Sequence, residues 1–320
     1  MDQARRRRRA AALAAILGAT VAGGRAEASG YALREQSATA LGNAFAGATA
    51  GAEDPSYMFF NSAALGKLDG YGASLSLSYV APRSEVDDAS ASTVVGSPIG
   101  GRDSVGDIGE DALIPAFYLT APVGDRVRLG LAVTTPFGLA TDYPDGWVGR
   151  YHAVDSELRT YNINPALAVR VTDWLSLGVG FQAQYADGEL TNAVDFGTIG
   201  AGFSIPGAIP GGQDGFARLT GDDWAFGYNA GLLAEPVHGT RLGVAYRSEV
   251  EHRLDGDVDF TSDTAGIAAA LRTVGAFADS DAHLDVDTPA TLSFGVHQAV
   301  GGKVAVMAEA TWTDWSTIEE

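Results

Sequence analysis

Leu175-Ser176-Leu177-Gly178-Val179-Gly180-Phe181-Gln182-Ala183-Gln184-Tyr185 has two unlike faces when read two residues at a time. Leu175, Leu177, Val179, Phe181 and Tyr185 fall on one side, and Ser176, Gly178, Gly180, Gln182 and Gln184 on the other. Side chains of period two cannot serve a helix, so this stretch is a strand with one greasy and one small, polar face. Tyr71, Ala73, Leu75, Leu77 and Tyr79 alternate in the same way with Gly72, Ser74, Ser76 and Ser78. Leu129, Leu131 and Val133 repeat it, as do Leu242, Val244 and Tyr246, then Leu292, Phe294 and Val296, then Val304, Val306, Ala308 and Trp312. Taken singly, each of these strands also fits a soluble β-sandwich.

The connections separate the two folds. Nine strands are predicted, at 71–82, 113–122, 126–136, 157–171, 174–190, 223–236, 239–252, 289–299 and 303–314. Pro122-Val123-Gly124-Asp125, Thr172-Asp173, Pro236-Val237-His238-Gly239 and Gly301-Gly302 are tight turns. Between them lie long, acidic loops at 83–111, 137–155, 191–222 and 253–287. A sandwich has no reason to alternate so regularly. A membrane protein does: with no water for unpaired backbone groups, strands must close on themselves, with short turns on one side and long loops on the other. The fold class predicted is all-β, an antiparallel transmembrane β-barrel with its turns in the periplasm and its loops outside. Tyr71, Tyr79, Trp174, Tyr185, Trp224, Trp312 and Trp315 suit interfacial girdles. Nine is odd, whereas single-chain bacterial barrels have even strand numbers. Residues 71–320 are therefore expected to be a C-terminally truncated, partial barrel, the alternative being a complete nine-stranded one.

Residues 1–28 read as an export signal: Arg5 to Arg9, an apolar stretch from Ala10 to Ala22, and a small-x-small site at Ala26-Glu27-Ala28. The apolar stretch is short for a membrane helix, and no other segment approaches the roughly 18–20 apolar residues one needs. With the signal removed, Lys plus Arg fall from 21 to 15 and the acids from 40 to 38, a net charge near −23. Nucleic acid is excluded as a partner. The absence of cysteine excludes a disulfide-stapled secreted domain.

Between the cleavage site and the first strand, residues 29–70 are rich in Ala and Gly and lack strand alternation. They read as short helices and turns, with Leu33, Ser37, Leu41 and Phe45 beside Ala40, Ala44 and Ala48 on one narrow face. Such a segment fits a plug in a barrel lumen or a periplasmic tail.

Gly30-Tyr31-Ala32-Leu33-Arg34-Glu35-Gln36-Ser37, followed by Leu41-Gly42-Asn43-Ala44-Phe45-Ala46-Gly47, resembles the hatch of the FadL family of outer-membrane long-chain fatty acid transporters. Later stretches are similar to that family in the same order. They are Thr135-Pro136-Phe137-Gly138-Leu139-Ala140-Thr141, Arg150-Tyr151 with Ser156-Glu157-Leu158, Asn162-Ile163-Asn164-Pro165-Ala166-Leu167-Ala168, Tyr246-Arg247-Ser248-Glu249-Val250, Leu254-Asp255-Gly256-Asp257 and Trp312-Thr313-Asp314-Trp315-Ser316. The resemblance implies a fourteen-stranded monomeric barrel in the outer membrane of a Gram-negative bacterium, with residues 29–70 as its hatch and five strands beyond those present. It also implies a kinked strand with a lateral opening, and passive uptake of a long-chain fatty acid or other apolar small molecule into the membrane lipid. Relatives that handle aromatic hydrocarbons leave that substrate class open. The family's usual Asn-Pro-Ala stands here as Asn61-Ser62-Ala63, without the proline that would fix the backbone.

Within this frame Phe45, Phe59 and Phe60 of the hatch are candidates to line a deep pocket, or simply to pack it. Phe196, Phe203 and Phe216 in one loop, and Leu271 and Phe277 on a helix expected over 267–277 in another, are candidates for an apolar capture groove. The same residues would equally pack on each other and cover the barrel mouth. For a carboxylate headgroup, Arg247 is the first cation and Arg150 and Arg159 the next. Glu249 and Glu251 share the Arg247 face, which also fits an ion-pair ladder. His152, His238, His252, His283 and His297 form no metal-ligand pair, and no Gly-x-Ser-x-Gly is present. No enzyme activity, metal or cofactor is predicted. Asp255-Gly256-Asp257-Val258-Asp259 opens like a calcium loop but has Phe260 where the glycine belongs, so an acidic solvated loop is expected. The rival reading from another class is an aqueous porin or structural barrel, against which the plug-like segment argues.

Overall fold

The computed structural model describes residues 30–263, 266–273, 275–301 and 304–318. The predicted signal peptide lies outside them. Among the described residues there are twelve strands: β1 (Gly72–Val80), β2 (Ala112–Val123), β3 (Val127–Thr134), β4 (Gly138–Asp142), β5 (Asp155–Thr172), β6 (Leu175–Asp195), β7 (Asp214–Val237), β8 (Thr240–Arg247), β9 (Val250–Phe260), β10 (Ser280–Thr288), β11 (Thr291–Val300) and β12 (Val304–Thr313). They form one antiparallel sheet in the order β1-β2-β3-β5-β6-β7-β8-β11-β12, with β4 beside β5 and β9 between β7 and β10.

Twelve strands instead of nine is a difference of breaks and not of passes. β3 with β4, β8 with β9, and β10 with β11 are each one pass interrupted for two or three residues. Pro136 and Pro289 stand in two of the interruptions, where a residue without an N–H cannot continue the ladder. At the third, the Ser248 hydroxyl replaces a backbone acceptor, taking a hydrogen bond from Tyr228 N at 2.9 Å. The strands also rise farther than expected. β9 and β10 occupy much of 253–287, β6 and β7 shorten the 191–222 loop, and β4 lies within 137–155. The expected acidic loop at 255–259 is part of β9: its carboxylates all point outward and Leu254 inward, so period two simply continues with acids in place of lipid-facing residues. The helix expected over 267–277 ends sooner, as α3 (Ile267–Arg272), before left-handed Gly275 and Phe277; Val274 lies outside the described residues. Among the described residues no helix is long and apolar enough to cross a membrane.

The outward face carries the apolar set. Leu75, Leu77, Leu129, Val179, Phe226, Phe294 and Val306 are exposed, with Tyr71, Tyr79, Trp174 and Trp312 toward the strand ends and Trp224 midway along β7, which starts earlier than expected. The other face meets residues 31–71, which contain α1 (Ala38–Gly42), capped by Ser37, and 3-10 turns at Ala48–Ala50, Pro55–Phe59 and Ser62–Lys67. This inner segment touches the sheet from end to end. Ser78 on β1 and Tyr118 on β2 donate to the carbonyls of Glu35 and Gln36 at 2.9 and 2.8 Å. Arg128 on β3 and Arg170 on β5 donate to those of Leu68 and Gly66. Thr49 N donates to Glu309 on β12 at 3.1 Å. Some forty residues can reach both outer strands only if the sheet curls around them.

Glycines on the concave face make that fit possible. A Cβ at Gly178 would lie 2.3 Å from the Ala63 nitrogen, one at Gly243 2.0 Å from the Thr49 carbonyl oxygen, and one at Gly295 2.6 Å from the Ala50 nitrogen. Gly178 faces Gly231 across β6–β7, and Gly243 faces Gly295 across β8–β11, so the seat is two cross-strand glycine pairs. Into it drops Asn61, whose amide donates to the carbonyls of Thr49 (2.7 Å) and Leu232 (3.0 Å) and accepts from Ala63 N (2.9 Å). One rim is tied by Lys67 to Glu235 (2.9 Å) and by Glu53 to Arg241. Burial alone would raise the Glu53 carboxyl, but Arg241 and backbone N–H groups overcome it and hold it low.

Gly231→Ala would press a methyl onto Asn61 Oδ1, 1.9 Å away, and is expected to cost about 1–3 kcal/mol by overpacking. Gly42→Ala, with open space around it, is the control and should be silent. Asn61→Ala strands two carbonyls and should cost about 1–3 kcal/mol. Urea unfolding in detergent, read together with protease cleavage within 31–71, measures both.

Candidate functional site

Two features of the wall and the inner segment bear on function. The first is a window. The β2–β3 ladder runs from Val123↔Val127 to Phe117↔Val133 and then stops. Contact resumes at Gly109↔Thr141, where Glu110 N donates to Ala140 O at 3.3 Å. Both stretches keep one register, so the ladder lapses and resumes without slipping, leaving an unpaired stretch roughly 20 Å long at the usual rise per residue. Sequence explains it. The register sets Pro115 of β2 opposite Thr135, and Pro136 follows, so neither strand can supply a full ladder there. On the other side β5 pairs Asn162 with Thr134 and then Arg159 with Gly138, one residue fewer than the β3–β4 pass spends. This is a β-bulge, which bends the strand; Thr160 Oγ1 accepts from Phe137 N across it at 3.0 Å.

From inside, the window is met by the start of the inner segment. Leu33 N donates to Pro136 O (2.8 Å), Gly138 N to Tyr31 O (3.0 Å), and Ala32 bridges Phe137. The Tyr31 ring lies against Phe137 at 5.6 Å, and its hydroxyl donates to Asp287 O at 2.8 Å where β10 ends.

The second feature is a row of rings between two cations. Arg247 lies 4.9 Å over Phe59; Phe59 meets Phe60 edge-on at 5.1 Å; Phe60 meets Phe45 at 5.9 Å; and Arg34 lies 5.4 Å over Phe45. The three rings are half-buried. Arg247 donates to Gln182 Oε1 and to Phe59 O (2.8 Å), neutral partners both, and makes no ion pair among the described residues. The ladder with Glu249 and Glu251 is not formed: Glu249 lies in the β8–β9 break, and beyond it Val250 faces inward and Glu251 outward. Arg34 was not among the residues singled out from sequence. Its place in the hatch-like stretch gave no sign of this: folding sets it over Phe45, at the end of the row opposite Arg247.

The loop candidates do not join this row. Phe196 at the start of α2 (Phe196–Gly202) is fully buried with Ile267, Ala268 and Leu271 of α3, and Phe277 stands edge-on to Phe196 at 5.1 Å and to Phe260 at 5.4 Å. The two apolar loops thus face one another and close as a small core. Phe203 projects from it, 70 % exposed, and Phe216 stands half-buried on β7, its N–H donating to Thr261 Oγ1. Beside this core Leu190, Leu219, Leu254 and Leu284 line a shallow apolar recess at Gly188 and Gly221. Arg150 ties loops together through Asp214 (2.7 Å) and Gly100 O (2.8 Å), and Arg159 pairs with Glu157. In the hatch-like motif Ser62 is buried with its hydroxyl unbonded, and Ala63 is fully buried. No group of metal-ligating side chains occurs among the described residues.

Comparison with known proteins matches this geometry. The profile of the family described as outer membrane protein transport protein (OMPP1/FadL/TodX) matches residues 19–320. A long-chain fatty acid transport protein of Escherichia coli O6:H1 is 28 % identical over 308 residues, covering 91 % of this chain and 67 % of that protein. An outer membrane protein of Neisseria meningitidis serogroup B is 32 % identical over 319 residues, covering 95 % and 68 %. Among solved structures, a Pseudomonas aeruginosa FadL homologue superposes with a TM-score of 0.80 at 24 % identity, over 91 % of this chain and 71 % of that one. The Ralstonia pickettii toluene transporter TbuX does so with 0.57 at 20 % identity, over 84 % and 69 %. With the profile spanning nearly the whole sequence, the chain belongs to the OMPP1/FadL/TodX family of outer membrane proteins.

Proposed function

We propose that the protein carries long-chain fatty acids passively across the outer membrane, with residues 29–70 as a hatch and lateral release into the bilayer. The observation that carries this reading is the window between β2 and β3–β4, which opens the wall toward lipid and is stopped from inside by the hatch. A water-filled pore would cost an apolar chain about 0.8 kcal/mol for each CH₂ it exposes. A sideways exit removes that cost. Among the relatives are a fatty acid transport protein and a toluene transporter. Arg247 favours the former substrate class: a guanidinium bonded only to neutral groups, beside Phe59 and Phe60, has donors for a carboxylate and rings for the chain behind it. The leucine recess and exposed Phe203 beside the loop core form the outer, apolar landing surface in this reading.

Cells producing the protein should take up labelled long-chain fatty acid, and a version lacking residues 29–66 should lose that selectivity and admit small polar solutes. Entry of polar solutes through the intact protein would make it an aqueous pore. Arg247→Met should weaken fatty acid binding by about 1.5–3 kcal/mol, roughly 10- to 100-fold, and leave a neutral aromatic hydrocarbon unaffected.

A further inference from the structure

Gln36 is fully buried, at 0 % exposure, and its side chain bonds a single residue of the wall, besides a longer bond from its Nε2 to Leu33 O of the inner segment at 3.3 Å. Its Nε2 donates to Thr135 O at 2.6 Å, and its Oε1 accepts from Thr135 N at 3.2 Å. A carboxamide has one acceptor and a donor in one plane, as a peptide group does. Here it stands where a neighbouring strand's peptide would stand. Thr135 is the residue that the β2–β3 register sets opposite Pro115, which has no N–H, and it is followed by Pro136, which has none either. Gln36 is held in turn: its carbonyl accepts from the Tyr118 hydroxyl of β2 at 2.8 Å, and Glu35 O accepts from Ser78 of β1 at 2.9 Å. One residue therefore bonds both edges of the opening, β2 through its backbone and β3 through its side chain.

We propose that Gln36 is the positioning residue that holds the window shut: its carboxamide acts as a removable rung at Thr135, so that withdrawing it leaves the β3 edge held only by the short Tyr31–Leu33 pairing with 136–138 and lets the wall open. The inference rests on the window being the exit described above. A side-chain rung leaves by rotation about its own χ angles. Its loss bares one N–H and one C=O, both of Thr135.

The chain contains no cysteine, so a single one is a unique probe. Ile114 is 1 % exposed, lies on the window's β2 edge and pairs with Ser78. In lipid vesicles, Ile114→Cys should react slowly with a lipid-soluble maleimide. Adding Gln36→Leu, which keeps the bulk and loses both bonds to Thr135, should speed the reaction roughly tenfold or more, as expected when two hydrogen bonds to the wall cease to favour the closed form. Gln36→Glu supplies a readout that packing alone would not move. Ionised, it can only accept and should leave the window loose; protonated at low pH, it regains a donor and should slow the reaction toward the native rate. The Ile114→Cys protein with native Gln36, taken through the same pH range, accounts for Glu35, Asp54, Tyr118, Arg34 and Arg247 nearby. Equal reactivity of folded Gln36→Leu and native protein, or a Gln36→Glu rate indifferent to pH, overturns the proposal. If Gln36→Leu does not fold, the Gln36→Glu profile decides. Reactivity is measured without any substrate, so failure of the wild type to take up fatty acid would overturn the transport reading separately.

Discussion

A peptide group inside a bilayer has no water to bond to, and every departure of this wall from a regular ladder has to be answered by some other donor or acceptor. The departures are not random. Prolines stand at or opposite two of the three breaks, and two breaks have side chains that stand in for backbone groups: Ser248 at β8–β9, and Thr160 and Gln36 at β3–β4; at β10–β11 the Ala290 carbonyl is taken by Asp314 N. Polar residues on the concave face are thus part of the hydrogen-bonding of the wall itself. Their presence reflects incomplete ladders as much as contact with solvent.

The same face must also accept a folded segment against it. Side chains cannot provide that fit where backbone meets backbone, and the paired glycines at 178 and 231, and at 243 and 295, clear the space. Asn61 then joins the two parts by satisfying carbonyls from both. Above this seat the chemistry changes from amide to aromatic and cationic. The row Arg247, Phe59, Phe60, Phe45, Arg34 draws three members from the inner segment's turns, one from its first residues and one from β8. Its shape is therefore sensitive to how the inner segment sits, which is a property a fixed wall pocket would lack.

Much of the fold is legible from alternation and turn length. The nine passes, their facing and the four tight connections follow from period two and from Gly, Asp and Pro at the reversals. Alternation is blind to what happens where it pauses. Thr135-Pro136-Phe137 reads as the end of a strand, and only the partner strand's Pro115, twenty residues away, makes it a window. Asp255, Asp257 and Asp259 read as a loop because acids mark solvent, yet they are the outward face of a strand that rises beyond the lipid belt. The cluster of Phe196, Leu271 and Phe277 shows the same limit, since apolar loop residues look alike in sequence whether they close on each other or stay open. Phe45, Phe59, Phe60 and Arg247 share a neighbourhood, but the sequence contained no sign that Arg34 would complete it. Nor did glycines on the polar face announce a seat, although their position opposite the greasy residues was visible throughout.

The glycine seat has a consequence for how the protein is made. Its partners are far apart in the chain: Thr49 meets Glu309 across 260 residues, and Ala50 meets Gly295. Contacts of such separation close late and at high entropic cost. The inner segment emerges first during synthesis but can be fully seated only after β11 and β12 have been laid down, so its docking is a final step of assembly that waits on the last strands described. Until then the partly curled sheet presents an unfilled groove whose backbone is bared at the paired glycines.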